Sequence, residues 1–133
     1  MRRNFLYFTC FLCLLSIQVL SAQERYELNT DWFCNPISDT KENGITLSQP
    51  EFKLKKWMPA TVPGTVLTTL LNNEKVPDPF YGMNNNKIKD IYETGREYYT
   101  YWFTKDFEET AAPGEQVWLK FRGINYSADV YLN

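Results

Sequence analysis

Residues 97–107 read EYYTYWFTKDF. Almost every position up to Thr104 is aromatic or β-branched, the composition that a pleated, half-buried surface prefers. This stretch is the strongest strand signal in the chain, and the rest of the fold is read outward from it. Downstream, AAPGE (111–115) is a turn, after which QVWLKFR (116–122) alternates. Val117, Leu119 and Phe121 fall on one face, and Gln116, Trp118, Lys120 and Arg122 on the other, which is the period of a strand. Gly123–Ser127 turns the chain, and Ala128, Val130 and Leu132 share a face of a further strand.

Upstream, Gln23–Pro36 predicts one short strand ending near Cys34, and Ile37–Lys56 a polar connector with a turn at Asn43-Gly44. Lys53–Lys56 is a small basic cluster of the kind that forms a solvated edge. Trp57–Val62 predicts a short strand closed by Pro63-Gly64. In TVLTTLL (65–71), Val66, Leu67, Leu70 and Leu71 recur at helical spacing, and Thr65 can cap the first turn. Glu74–Gly95 follows as a long loop that opens on VPDPFYGMNNN (76–86), with a single helical turn expected within Asn86–Tyr92. So long a loop is functional or disordered, and its rings argue against disorder. Strands separated by turns, with one short helix, predict a mainly β protein: an antiparallel sandwich. About four or five strands are legible where a closed jelly roll takes about eight. The sheet is therefore expected to be incomplete, with an open edge.

The chain has 133 residues, enough for one small domain. Arg2 and Arg3 precede an apolar run from Phe5 to Leu20 that ends in Ser21-Ala22-Gln23. The run is shorter than a bilayer span, and the pattern is that of a secretory signal peptide, residues 1–22, with cleavage after Ala22. The mature part is then 23–133, exported to the periplasm or the outside, with no stable membrane anchor. Cys10 and Cys13 leave with the leader, so Cys34 has no internal partner and reads as a small buried apolar group. The chain has no His, so a catalytic thiol lacks its usual base and zinc its commonest ligand. No metal and no cofactor are expected. The net charge is −2 and becomes more negative once the two arginines are removed, which argues against a nucleic-acid partner. Aromatic residues make up 17 %, a level that both sandwich cores and sugar sites use; composition alone favours core.

Five pieces now stand in register: Trp57, TVPGTVL (61–67), VPDPFYG (76–82) with Asn84, YYTYWF (98–103), and WLKFRGINYSADVYLN (118–133). In order and spacing they resemble the N-terminal sugar-binding domain of glycoside hydrolase family 2. The likeness is to the branch of β-mannosidases, exo-β-D-glucosaminidases and mannosylglycoprotein endo-β-mannosidases. It covers 55–133, without the glycine usual after VYLN. The resemblance implies a galactose-binding-like jelly roll, truncated here, in a chain whose downstream domains are missing. It also implies that the loop before the aromatic strand leans over the mouth of a later (β/α)8 barrel and helps wall the terminal-sugar pocket. Asn84 is the foremost candidate for sugar contact, with Asp78 and Asn85 second, since amides both donate to and accept from hydroxyls. Against this stands a plainer alternative, in which Asp78 only caps its turn and Phe80 and Tyr81 plug the loop onto the sandwich.

The family's retaining chemistry uses two glutamates about 5 Å apart, carried on the barrel. No acid in this chain matches those motifs, so no catalytic residue is assigned. Glu93, Glu97, Glu108 and Glu109 read as solvated surface, and Arg96 and Arg122 as anchors for the loop or a strand edge. Asn125-Tyr126-Ser127 is a glycosylation sequon. The reading that follows is the N-terminal fragment of an exported glycosidase that cleaves a β-mannoside or β-glucosaminide. Its partners would be the carbohydrate substrate and its own missing domains. The alternative is a stand-alone secreted carbohydrate-binding module.

Overall fold

A computed structural model describes residues 24–133; the expected leader, 1–22, lies outside them. Three short strands form one antiparallel sheet: β1 (Phe33–Pro36), β2 (Met58–Pro59) and β3 (Tyr101–Thr104), in the order β2-β1-β3. On one side of β1, Phe33 pairs with Pro59 and Cys34 with Met58; on the other, Cys34 pairs with Phe103 and Asn35 with Trp102. Cys34 is thus flanked by both neighbouring strands and is fully buried, as expected of a small apolar group. Burial pushes its thiol up to about 11, so the reactive thiolate is scarce at neutral pH. In the longer chain expected above, iodoacetamide at pH 8 should label Cys34 slowly in buffer and quickly in denaturant; equal rates would mean that the sheet does not close over it.

Two of the expected strands are shorter than their composition suggests, for reasons visible in the backbone. In Trp57–Val62, Ala60 N–H still bonds Trp32 O at 2.8 Å, but the Thr61 N–H turns to the Thr69 hydroxyl at 3.1 Å. Pro59 has no N–H to offer at all. In Glu97–Phe107, the first residues wind instead into a 3-10 turn, Arg96–Tyr99, closed by Thr100 N–H to Glu97 O and by the Thr100 hydroxyl to Arg96 O.

The helical expectation at TVLTTLL holds: α2 spans Val66–Asn72, and the Thr65 hydroxyl accepts from Thr68 N–H. Two single-turn helices accompany it, α1 (Gly44–Leu47) and α3 (Ile91–Thr94), capped by Asn43 and Asp90. Helix α2 docks on the β2 segment through buried Thr69 and Leu70 and through two amides. Asn72 Nδ2 donates to the Thr61 hydroxyl at 2.7 Å, and Asn73 Nδ2 to Pro59 O at 2.8 Å. The turn between them is tight: a Cβ on Gly64 would lie 2.7 Å from Thr61 O.

Helix α2 ends in a Schellman arrangement, with Lys75 N–H to Leu70 O and Glu74 N–H to Leu71 O. Glu74 holds the left-handed position there, φ 56°, where glycine is favoured. In the longer chain expected above, Glu74→Gly should stabilise this domain by about 0.5–1 kcal/mol, read as a raised urea midpoint at unchanged slope.

The largest departure from expectation lies at 105–133. The strands predicted over 116–122 and 128–132 do not form; among the described residues the backbone bond in this segment, Glu115 N–H to Ala112 O at 2.9 Å, closes the turn at Ala112–Glu115. Val117, Leu119, Phe121, Val130 and Leu132 remain exposed. Alternation specifies which residues share a face, but a strand needs a neighbouring ladder to hold it. Side chains tether this segment instead. Arg122 bonds Glu27, the Tyr26 hydroxyl donates to Glu109 at 2.6 Å, and Tyr131 sits edge-on to Trp102 with its ring over Gly44.

Candidate functional site

The loop from Glu74 to Gly95 is ordered by short-range bonds rather than by packing. Asp78 Oδ1 accepts from Phe80 N–H at 2.9 Å and its carbonyl from Tyr81 N–H at 3.3 Å, an Asx-type turn between two prolines. Gly82, at φ 57°, reverses the chain where a side chain would be strained. Asn84 N–H then bonds Tyr81 O at 3.2 Å, and Asn84–Lys87 form a 3-10 turn. The Lys87 ammonium donates to Asn84 Oδ1 at 2.9 Å. Asp90 caps α3 through Tyr92 N–H at 2.7 Å, and Gly95, at φ 80°, ends it.

Beyond Gly95 the loop is anchored as the arginine reading anticipated. Arg96 donates to the Tyr126 hydroxyl at 3.1 Å and lies over that ring, 5.3 Å from its centre. The Tyr99 hydroxyl bonds Lys89 O, and the Lys89 ammonium stands 5.0 Å from the Tyr98 ring. Cations over aromatic faces add electrostatic attraction to these contacts.

Of the three residues singled out from sequence, Asn84 and Asn85 share one turn, and Asp78 stands on the turn before it, linked to Asn84 through Tyr81. Asn84 is half-buried, while Asp78 and Asn85 are exposed. Asp78 does cap its turn. The other half of the plainer alternative is overturned: Phe80 is 94 % exposed and Tyr81 77 %, so neither plugs the loop onto the sheet. Tyr92, on α3, is 95 % exposed and was not singled out, although a lone ring inside NKIKDIYETG was its signal. Rings held clear of the body by a bonded loop offer apolar faces to a ligand, and the asparagine amides offer donors and acceptors.

The loop presents its rings to solvent, with Phe80, Tyr81 and Tyr92 all exposed. A shallow depression of about 150 Å³ lies elsewhere, lined by Asp31, Phe33, Leu54, Thr104, Lys105 and Asp106, and no loop residue borders it. A sugar held against the tip therefore needs a second wall. Glu93, Glu97, Glu108 and Glu109 are all exposed, and among the described residues no three His, Cys, Asp or Glu side chains gather to hold a metal.

Residues 38–133 match the family model described as glycosyl hydrolase 2 galactose-binding domain-like. Among curated proteins, a mannosylglycoprotein endo-beta-mannosidase of Lilium longiflorum is 50 % identical over 109 residues, covering 80 % of this chain and 11 % of that protein. An exo-beta-D-glucosaminidase of Streptomyces avermitilis is 34 % identical over 88 residues, 65 % of this chain and 9 % of the relative. A beta-mannosidase B of Aspergillus clavatus is 28 % identical over 116 residues, 86 % and 12 % respectively. The chain thus spans about a tenth of the length of these relatives. No solved structure gives a significant match.

Proposed function

This chain belongs to the glycosyl hydrolase 2 galactose-binding domain-like family, and from that footing we propose that it is the N-terminal part of an exported β-glycosidase. The substrate class is β-mannosides or β-glucosaminides. One observation carries the reading: half the residues match a mannosylglycoprotein endo-beta-mannosidase over most of this chain, yet only over 11 % of that enzyme. The projecting loop supports it, because a tip with exposed rings and amides suits one wall of a pocket whose other wall lies on a downstream domain. The two catalytic glutamates belong to that domain. This segment contributes rim and scaffold. Residues 1–22 would direct export and be removed.

The size of the native product tests the reading. An antibody to residues 84–97 is used to size the band in source cells. Since 109 residues are 11 % of the lily relative, a comparable parent has about 1,000 residues and a mass of about 110 kDa. A band of that size is expected. A band of about 13 kDa, the mass left once the leader is cut from 15.7 kDa, would overturn it. The exposed rings of the loop would then favour a stand-alone carbohydrate-binding module.

Within the long product, Asn84→Ala is expected to lower kcat/KM by about tenfold, the effect of one lost hydrogen bond to a sugar hydroxyl. Lys87→Ala, which removes only the bond that orients the amide, should lower it less. Unchanged kinetics in both variants would remove Asn84 from the pocket wall.

A further inference from the structure

We propose that Tyr99 is a positioning residue for the candidate pocket wall: its hydroxyl bond to the Lys89 carbonyl sets where the Asn84–Lys87 turn stands. The proposal rests on the glycosidase reading above. A loop without a core of its own is placed by the bonds that reach across the chain. Among the described residues, every other hydrogen bond made by 76–95 closes within four residues. Such bonds give each turn its shape and leave its position free. The bond from Tyr99 to Lys89 spans ten residues and ties the loop to the segment that enters β3.

The sheet end of this clamp is fixed. Thr100 N–H to Glu97 O at 3.1 Å and the Thr100 hydroxyl to Arg96 O at 3.0 Å close the turn that presents Tyr99. Thr100 O accepts from Ile37 N–H at 3.1 Å, and Tyr101 pairs with Pro36 on the central strand. All of these residues precede 105, so the clamp does not depend on the segment 105–133. Tyr98 stands edge-on to Tyr99, ring centres 4.9 Å apart, and the Lys89 ammonium lies 5.0 Å from the Tyr98 ring. Lys89 is thus gripped at both its carbonyl and its ammonium. Tyr99 is half-buried, and burial, with Tyr98 and Asp90 nearby, pushes its phenol up, so the hydroxyl can donate throughout the neutral range.

At the loop end, Lys89 follows closely on Lys87, whose ammonium holds Asn84 Oδ1 at 2.9 Å, and it adjoins Asp90, the cap of α3. A bond at the Lys89 carbonyl therefore holds the turn that carries Asn84 and the helix that carries Tyr92 together. A wall amide acts only where it meets a sugar hydroxyl at hydrogen-bond distance, and a misplacement of about 1 Å is costly. A loop held in place before the sugar arrives also lowers the ordering cost of binding.

The test is Tyr99→Phe in the long product, which keeps the ring against Tyr98 and removes only the donor. In that variant kcat/KM should fall about three- to tenfold. Backbone amides of 84–95 should exchange faster with deuterium, while those of β1 and β3 keep their rates. In an Asn84→Ala background, Tyr99→Phe should cost almost nothing further, because it acts through that amide. A residue that merely stabilised the domain would lower both backgrounds equally. Equal losses in the two backgrounds, or unchanged exchange over 84–95, would overturn the proposal. If Asn84→Ala lowers kcat/KM and Tyr99→Phe does not, the clamp falls and the pocket-wall reading stands. If neither variant alters the kinetics, both fall together, as they would if source cells made only the short chain.

Discussion

Residues 23–133, produced alone, will melt without a cooperative transition and will bind the dye 1-anilinonaphthalene-8-sulfonate in dilute buffer. The cause is the distribution of apolar side chains. Among the described residues the buried apolar groups are Cys34 and Leu70, whereas Trp118, Phe121, Val130 and Leu132 are exposed on a segment without strands. Ordering each backbone residue costs about 1–2 kcal/mol, and only buried surface offsets that cost. A sheet of three short strands, two to four residues each, offers little of it. Small domains are marginal on this count even when their cores are complete. Retained secondary structure, weak near-ultraviolet circular dichroism and strong dye fluorescence form the expected set. A sharp two-state melt with saturable binding of manno-oligosaccharides would refute the expectation and give the binding-module reading the lead. In the long product the same residues should melt cooperatively with the rest, because the exposed faces at 117–132 gain neighbours.

Leu70→Ala in the long product should lower the stability of this domain by about 2–5 kcal/mol, the range for large apolar truncations at buried sites. Leu70 is 5 % exposed and is the buried apolar side chain of α2, which otherwise docks through the hydrogen bonds of Thr69, Asn72 and Asn73. Its companion is Thr69→Val, similar in shape but without the oxygen that accepts from Thr61 N–H. That variant should cost about 1–3 kcal/mol, the penalty for a half-buried donor left without a partner. Urea midpoints followed by a probe within this domain measure both. If Leu70→Ala costs no more than a surface change, the helix does not dock as described. The two effects should not add, since neighbouring residues on one helix share the same docking contact.

Local chemistry explains what was legible from residues alone. Thr65 as a cap, the apolar spacing of Val66–Leu71, the turn at Ala111–Glu115 and the turn-forming Asp78 each depend on bonds within a few residues. Family membership was legible too, because five motifs in register are carried by the chain itself. Cys34 was recognisable as buried from its type and its lack of a partner. The sequence did not reveal that Thr61 would give its N–H to Thr69 instead of extending β2, nor that Phe80, Tyr81 and Tyr92 would project.

The sequence by itself determined the helix caps, the punctuation by Pro63-Gly64 and Gly82, the alternation at 116–122, and the family. Those are properties of near neighbours, or of a pattern that needs no partner to be read. Tertiary structure alone decided which strands exist. Phe33–Pro36 became the central strand because two distant segments reached it on either side, at Met58–Pro59 and Tyr101–Thr104. Gln116–Arg122, with the cleaner pattern, formed no strand. A strand's hydrogen bonds are made to another strand, so an alternating sequence specifies the faces of a sheet but not the neighbour that completes it.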